Sequence, residues 1–389
     1  MSQNVPVPDR VSRGHIPRLT SLDGLRGIAA VAVVVYHALL ASTLGDEFLD
    51  RLHGESGANT ALDIVVDTPL RLLTMGPEAV VIFFVLSGFV LTLPMLGGKG
   101  LDLWAYYPRR IARLWIPAAA SIALAIVLIL LSTQNADDAV SEWGARYSFS
   151  LDRLTAHEVL KSLFFVTNFP GLNNPMWTLQ WEMLFSLTLP VAFLFVARMR
   201  RGYVATIIGS AVVSGGGVVV DIPSLVYGPM FVAGCAAAKM IHDRGDRRTS
   251  PLASWGLFVC GLALISVPDI LRVGFGWPVS TGAQGFVTLG ATVLVLSLVL
   301  PSALTRFFGS APMRFLGRIS FSLYLVHVPV LLAAQHFAPR YPNLSLAVGA
   351  IASVAIAWGF ARWVEEPSAR IARRLGKRSS ELRMSITAS

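Results

Sequence analysis

Two side chains in the first apolar segment of the sequence could take part in chemistry. Arg26 and His37 lie in SLDGLRGIAAVAVVVYHALL, residues 21–40, a stretch otherwise apolar enough to enter a bilayer. Titratable residues inside a membrane helix are costly and usually face a protein interior or a water-filled cavity. An imidazole can accept a proton at neutral pH, and a guanidinium can bind an anion. The segment therefore offers a cation and a general base to a substrate.

The spacing of these two residues places them on one side of a helix. Eleven residues at about 100° each make three full turns plus roughly 20°, and separate the side chains by about 16 Å along the axis. We expect Arg26 near the cytoplasmic end, His37 near the opposite end, and both lining one passage. Taken singly, Arg26 could be a snorkelling anchor and His37 a core histidine bonded to a backbone carbonyl.

Three further titratable residues occur in later apolar segments. Glu182 in NPMWTLQWEMLFSL lies about 9 Å into its span, at the depth expected for His37, which predicts an outward-opening pocket or a glutamate neutralised by a neighbouring helix. His327 in RISFSLYLVHVPV either lines the same cavity or hydrogen-bonds to another helix. Glu78 is interpreted as a boundary residue rather than a catalyst.

A basic cluster begins another segment, YYPRRIARLWIP, and contains Arg109, Arg110 and Arg113. Arg110 and Arg113 are one helical turn apart, a spacing that can clamp a phosphate from one face. The alternative is ordinary cytoplasmic charge, since the other inner loops are basic as well.

The composition identifies the elements that position these residues. The 389 residues are 54% hydrophobic and only 14% charged, with a mean hydropathy of +0.62, which indicates an all-α integral membrane protein. A window of about 19 residues predicts ten transmembrane helices and hence both termini on one side. The predicted spans are residues 22–41, 76–96, 114–132, 176–197, 203–220, 222–241, 252–268, 281–300, 319–335 and 344–363.

The charge distribution predicts the orientation of these helices. With cytoplasmic termini, only seven of the 32 Lys and Arg residues lie in outer loops, as the positive-inside rule requires. This rule also explains the net charge of +9 better than nucleic-acid binding does. Residues 1–21 are predicted as a cytoplasmic tail, 22–367 as one membrane domain, and 368–389 as a basic tail that is disordered or surface-lying. The two cysteines have no metal-ligand spacing, and no metal site is expected.

Several blocks of the sequence, in order, resemble the acyltransferase-3 family of membrane acyltransferases. They are SLDGLRGIAAVAVVVYH with its Arg-X10-His pattern, FFVLSGFVL, RRIAR, WTLQWEMLF, ISFSLYLVH and the EEP that ends at Pro367. The resemblance extends from about Leu19 to Pro367. The family includes O-acetylases of bacterial O-antigens and exopolysaccharides and macrolide acyltransferases.

The resemblance implies transfer of an acyl group, often acetyl, from cytoplasmic acyl-CoA to a hydroxyl. It implies an essential catalytic pair in Arg26 and His37, and donor binding by Arg26 with the basic cluster at Arg109, Arg110 and Arg113. Glu182 is expected to take part in catalysis by orienting the imidazole of His37, or to bind the acceptor. His327 and Trp177 are expected to bind the acceptor.

Two departures from the family pattern leave the acceptor open. Residues 79–81 read Ala-Val-Val where Gly-Val-Asp is usual, and residues 184–186 read Leu-Phe-Ser where Gln-Phe-Tyr is common. The sequence thus predicts a multi-pass enzyme of the inner, or plasma, membrane, embedded in its lipids. It would acylate an envelope carbohydrate, a lipid or a small molecule, with His37 as general base. The alternative is a transporter that uses the same residues as a proton relay.

Overall fold

The computed structural model describes residues 19–55, 59–99, 102–132, 137, 139–166, 171–245, 250–276 and 283–388, which contain helices and no strand. The α-helices are α1 Thr20–Leu40, α2 Gly45–His53, α3 Thr60–Asp67, α4 Gly76–Pro94, α5 Leu103–Ser132, α6 Glu142–Tyr147, α7 Ala156–Leu163, α8 Met176–Ala197, α9 Tyr203–Val219, α10 Pro223–Arg244, α11 Pro251–Ile265, α12 Val267–Phe275, α13 Gln284–Ser297, α14 Ala303–Phe308, α15 Ala311–Phe337, α16 Pro342–Phe360 and α17 Glu366–Ala388. A 3₁₀ helix covers Pro69–Leu73, and π-turns cover Met95–Lys99 and Ala361–Glu365.

The prediction of an all-α membrane fold is confirmed. Within the described residues, seven helical segments are long and apolar enough to cross a membrane, and the bent pair α11–α12 would make an eighth. The shorter helices α9 and α13, of 17 and 14 residues, coincide with the other two predicted spans. Each predicted segment therefore coincides with a helix, while ten crossings and cytoplasmic termini stay predictions.

Glycine allows α1 and α15 to pack closely beside Arg26. A Cβ atom on Gly27 would lie 2.6 Å from the backbone nitrogen of Gly317, and one on Gly317 would lie 2.2 Å from the carbonyl oxygen of Asp23. Small residues at a crossing let two helix backbones approach, which strengthens dispersion contacts inside a membrane. This contact fixes the base of α1 against α15, the helix that carries His327.

A second glycine crossing joins α4 to α10. A Cβ atom on Gly88 would lie 2.1 Å from the carbonyl oxygen of Phe231, and one on Gly234 would lie 2.1 Å from that of Val85. No side chain larger than hydrogen fits at either position without moving a backbone. The crossing fixes the face of α4 that lines the candidate site.

Two prolines inside helices free carbonyl groups that bind other parts of the chain. Proline has no backbone N–H, so the carbonyl four residues earlier loses its helical partner. Pro190 frees the carbonyl oxygen of Ser186, which accepts a hydrogen bond of 2.8 Å from the Tyr106 hydroxyl. Pro329 frees that of Leu325, and Asn173 Nδ2 donates to it at 2.9 Å. These bonds tie α8 to α5, and tie the segment before α8 to α15.

The C-terminal helix α17 packs along the beginning of α5. A Cβ atom on Gly376 would lie 2.7 Å from the carbonyl oxygen of Ala105, and Ser380 donates a hydrogen bond to the Asp102 carboxylate. This hydrogen bond lowers the pKa of Asp102. Residues 368–388 of the predicted tail thus belong to α17, which lies against α5, as in the surface-lying alternative rather than the disordered one.

A buried ion cluster joins the short helices between α1 and α4 to α12. Arg71 contacts Glu78 at 3.1 Å and Asp269 at 3.5 Å, and Arg272 contacts Asp67 at 3.3 Å. Glu78, interpreted from the sequence as a boundary residue, lies in the first turn of α4 and is buried. Its carboxylate therefore has a structural partner and does not face either cavity described below.

Candidate active site

A small cavity between α1, α4, α5, α8 and α15 contains three arginines. Its volume is about 130 Å³, and Arg26, Arg110 and Arg113 line it together with Glu182 and Glu365. We call it the arginine cavity. Three positive and two negative side chains give it a formal charge of 3 − 2 = +1, so it favours an anionic ligand.

Hydrogen bonds fix the two carboxylates of the arginine cavity. Glu182 Oε1 accepts a bond of 2.7 Å from Arg110 Nη2, and Arg110 Nε donates to Ser186 Oγ at 2.7 Å. Glu365 ends the π-turn after α16, and its Oε2 accepts a bond of 2.6 Å from Ser322 Oγ. π-turns often occur at functional sites because the extra residue redirects the side chains that follow it.

Arg109 is the member of the basic cluster that lies outside the arginine cavity. Its side chain is exposed and lies against α17, where a Cβ atom on Gly376 would be 3.1 Å from Arg109 Nε. Arg110 and Arg113 line the cavity as their one-turn spacing suggests. The structure thus separates Arg109 from the other arginines expected to bind the donor.

A second, larger cavity of about 550 Å³ surrounds His37. We call it the histidine cavity. Its lining is rich in aromatic residues, namely Tyr36, Trp143, Tyr147, Trp177, Tyr227 and Tyr324, with Asn174, Asp221 and Gln284 among its polar members. The ring of Trp143 lies 5.3 Å from that of His37, and Trp177 lies 5.6 Å from Tyr227. Trp177 is therefore on the cavity expected for the acceptor.

His327 lies directly behind His37. The Nε2 atom of His327 is 3.0 Å from Nδ1 of His37, and His327 is fully buried on α15. Of the two alternatives that the sequence left open for His327, the structure selects contact with the neighbouring helix α1. It lies behind the histidine cavity and contacts the residue that lines it.

The hydrogen bonds around this pair assign the protons on both rings. His327 Nδ1 lies 2.8 Å from the carbonyl oxygen of Tyr324, so Nδ1 carries the proton and donates it. His327 Nε2 is then an acceptor. The nitrogen Nδ1 of His37 faces two acceptors, His327 Nε2 and the carbonyl oxygen of Val33, each at 3.0 Å, so Nδ1 carries the proton. This leaves a lone pair on His37 Nε2, which lies 3.4 Å from Asn174 Nδ2 at the histidine cavity. A neutral imidazole in this tautomer can act as a general base.

The two cavities are neighbours that share part of their walls. Val80 and Tyr324 line both, and the Tyr324 hydroxyl lies 2.9 Å from Thr178 Oγ1. Arg26 lines the arginine cavity and His37 the neighbouring histidine cavity, so a single passage that both residues line stays a prediction. The side chain of Tyr324 extends from α15 to the boundary between them.

The structure differs from the prediction that Glu182 lies level with His37. Glu182 lines the arginine cavity and contacts Arg110, whereas the residue beside His37 is Asn174. The depth predicted for Glu182 was measured from Met176 as the membrane boundary. The segment before Met176 is itself buried, however, with Asn174 only 8% exposed. Glu182 lies six residues after Met176, the first residue of α8, which corresponds to about 9 Å along the helix axis.

Three residues of the site had no role from the sequence. They are Asn174, Tyr324 and Glu365, which lie in or beside blocks used for the family resemblance. The sequence NNP before α8 contains a signal that could have identified Asn174, because two adjacent amides before an apolar helix need hydrogen-bond partners if they are buried. Within the described part of the chain, no group of three or more His, Cys, Asp or Glu residues could hold a metal ion.

Residues 19–362 match the acyltransferase-3 family, described as an acyltransferase domain. The chain therefore belongs to this family and is a multi-pass membrane protein. Family membership favours the acyltransferase interpretation over the transporter. No solved structure matches the chain significantly.

Named relatives are similar over different parts of the chain. Acyltransferase MdmB of Streptomyces mycarofaciens is 28% identical over 202 residues, covering 51% of this chain and 46% of MdmB. O-acetyltransferase PaAT-1 of Phomopsis amygdali is 26% identical over 380 residues, covering 81% and 72%. The peptidoglycan O-acetyltransferase YrhL of Bacillus subtilis, named as putative, is 25% identical over 367 residues, covering 82% and 49%. The matched region thus spans about half the length of MdmB and YrhL.

Proposed function

We propose that this member of the acyltransferase-3 family transfers an acyl group, in the simplest case acetyl, from acyl-CoA to a hydroxyl group. The observation that carries the proposal is the contact between two unlike cavities, one cationic and one containing a general base. The donor would enter the arginine cavity and the acceptor the histidine cavity, on either side of Tyr324 and Val80.

The charge and size of the arginine cavity support the donor assignment. Acyl-CoA carries several phosphate charges at one end and a neutral thioester at the other. A cavity of about 130 Å³ is too small for the whole molecule, so only part of the donor would enter it. Arg26 and Arg113 would then hold phosphate oxygens, which guanidinium groups bind in pairs.

The proposed reaction needs only one proton acceptor. The thioester end of the donor would extend past Tyr324 from the arginine cavity to the acceptor. There His37 Nε2 removes the proton from the acceptor hydroxyl, and the oxygen forms a bond to the acyl carbon. The carbon–sulfur bond then breaks, and His37 returns the proton to the departing thiolate of CoA. His327 Nε2 and the carbonyl oxygen of Val33, each 3.0 Å from His37 Nδ1, keep that nitrogen protonated, so that Nε2 stays free for the acceptor.

The lining of the histidine cavity supports an acceptor with both apolar and hydroxylated faces. Aromatic side chains present flat apolar surfaces, while Asn174, Asp221 and Gln284 offer hydrogen bonds. Carbohydrates and glycosylated small molecules have this character, and the relatives PaAT-1 and YrhL are named as O-acetyltransferases. We propose such an acceptor, reached from the outer side of the plasma membrane.

The test uses purified protein in lipid nanodiscs with acetyl-CoA. We expect acetyl-CoA to raise the melting temperature of the protein, and CoA thiol to appear with turnover. His37→Ala should keep the thermal shift and lose thiol release, whereas Arg26→Gln should lose most of the shift. Arg109→Gln, outside the cavity, is the matched control and should resemble the unmodified protein. Thiol release by His37→Ala at the original rate would refute the role of His37 as base. If acetyl-CoA does not raise the melting temperature of the unmodified protein, acyl-CoA is refuted as the donor.

A further inference from the structure

Asn174 occupies a distinctive position beside the proposed general base. It lies two residues before α8, is 8% exposed and lines the histidine cavity. Its Nδ2 atom is 3.4 Å from His37 Nε2. Its Oδ1 atom is shielded from solvent and has no hydrogen-bond partner among the residues that the structure describes. The side chain therefore presents its NH₂ end to the imidazole.

The imidazole explains this orientation. A buried carbonyl oxygen without a partner costs free energy, and a half-turn of the amide would exchange Oδ1 with Nδ2. The half-turn would bring Oδ1 against the lone pair of His37 Nε2, which repels it. The tautomer of His37, in which Nδ1 faces both His327 Nε2 and the carbonyl oxygen of Val33, thus orients the Asn174 amide.

We propose that Asn174 is a catalytic residue whose Nδ2 donates a hydrogen bond to the acceptor oxygen while His37 removes its proton. This inference rests on the proposed function, which does not itself require Asn174. The Nδ2–Nε2 separation of 3.4 Å is long for a hydrogen bond, so the direct contact is weak and readily replaced. A hydroxyl group can satisfy both neighbours at once, because it donates to His37 Nε2 and accepts from Asn174 Nδ2.

The benefit of this bond grows as the reaction proceeds. When the proton moves to His37, negative charge develops on the acceptor oxygen, which then attacks the acyl carbon. A donor already aimed at that oxygen stabilises the charge without reorganisation, and removing one such donor typically lowers kcat by about 10²–10³-fold. When the thiolate leaves and takes the proton from His37, the ester oxygen releases Asn174.

The experiment compares two small surrogate acceptors, ethanol and 2,2,2-trifluoroethanol, with acetyl-CoA as donor in nanodiscs. The fluorine atoms of trifluoroethanol stabilise negative charge on its oxygen, so this acceptor depends less on an external hydrogen-bond donor. Asn174→Leu should therefore lower kcat/KM for ethanol by about 10²-fold. The loss of kcat/KM for trifluoroethanol should be smaller than the loss for ethanol by at least several-fold. Asn174→Asp, which keeps the shape and lacks the N–H donor, should show the same selective loss if the leucine variant does not fold.

Controls separate this inference from the proposed function. Asn173 is also a buried amide, 3% exposed; its Nδ2 donates to the carbonyl oxygen of Leu325, and it lines neither cavity. Asn173→Asp should change ethanol and trifluoroethanol rates by one common factor. An equal loss with both alcohols in Asn174→Leu and Asn174→Asp would overturn the catalytic assignment and leave the acyltransferase intact. Absence of acetyl-CoA binding or thiol release in the unmodified protein would instead overturn the proposed function.

Discussion

The ion pair between Arg110 and Glu182 allows a test of what the glutamate does. The sequence suggested that Glu182 orients His37 or binds the acceptor, whereas the structure places its carboxylate 2.7 Å from the Arg110 guanidinium. If Glu182 acts only by holding Arg110 for the donor, Glu182→Gln should have no further effect once Arg110 is replaced. We therefore predict strong non-additivity between Arg110→Gln and Glu182→Gln.

The geometry sets the size of this effect. At 2.7 Å and an effective dielectric constant of about 20, Coulomb's law gives about 6 kcal/mol. Desolvation and side-chain ordering offset much of this, since the two side chains are only 11% and 21% exposed. A coupling free energy of about 2 kcal/mol, or about 30-fold, is expected.

The assay is kcat/KM for CoA thiol release in the two single variants, the double variant and the unmodified protein. Glu182→Gln should lower kcat/KM about 30-fold in the unmodified background, and less than about twofold when Arg110 is already glutamine. Glu366→Gln, which removes an exposed partner of Arg362 at 3.2 Å, is the control and should have no effect. The same loss in both backgrounds would refute the reasoning and return Glu182 to a role in acceptor chemistry.

Two further predictions concern the wall between the cavities and the helix crossing behind it. Tyr324→Ala should join the two cavities and admit water to the thioester, so the ratio of thiol released to ester formed should rise; an unchanged ratio would show that Tyr324 does not separate them. Gly234→Ala should destabilise the protein by about 1–3 kcal/mol, because the new Cβ atom would lie 2.1 Å from the carbonyl oxygen of Val85. Thermal unfolding in nanodiscs measures this loss, with Gly256→Ala, where the added Cβ meets no atom within 4 Å, as the tolerated control.

The helices of this fold were predictable from composition because bilayer length and hydropathy determine them directly. All ten apolar segments are helical, and the one-turn spacing of Arg110 and Arg113 placed both on the arginine cavity. Their spacing along single helices depends only on helix geometry. Contacts between helices were harder to predict, since they depend on how deeply each helix lies in the membrane and on which residues form the helix crossings.

The position of Glu182 is an example of a feature that the sequence did not predict. Hydropathy marks where an apolar helix begins, but a polar segment can precede it and still be buried if its polar groups find partners. Asn173 finds such a partner in the carbonyl oxygen of Leu325, which is available because Pro329 leaves it without a helical donor. The hydrogen bond to this free carbonyl oxygen holds the segment before α8 against α15, with Asn174 beside His37 and Glu182 in the arginine cavity. The position of α8 thus depends on a contact with a proline-containing helix elsewhere in the chain. The pattern of residues within α8 does not reveal such a contact.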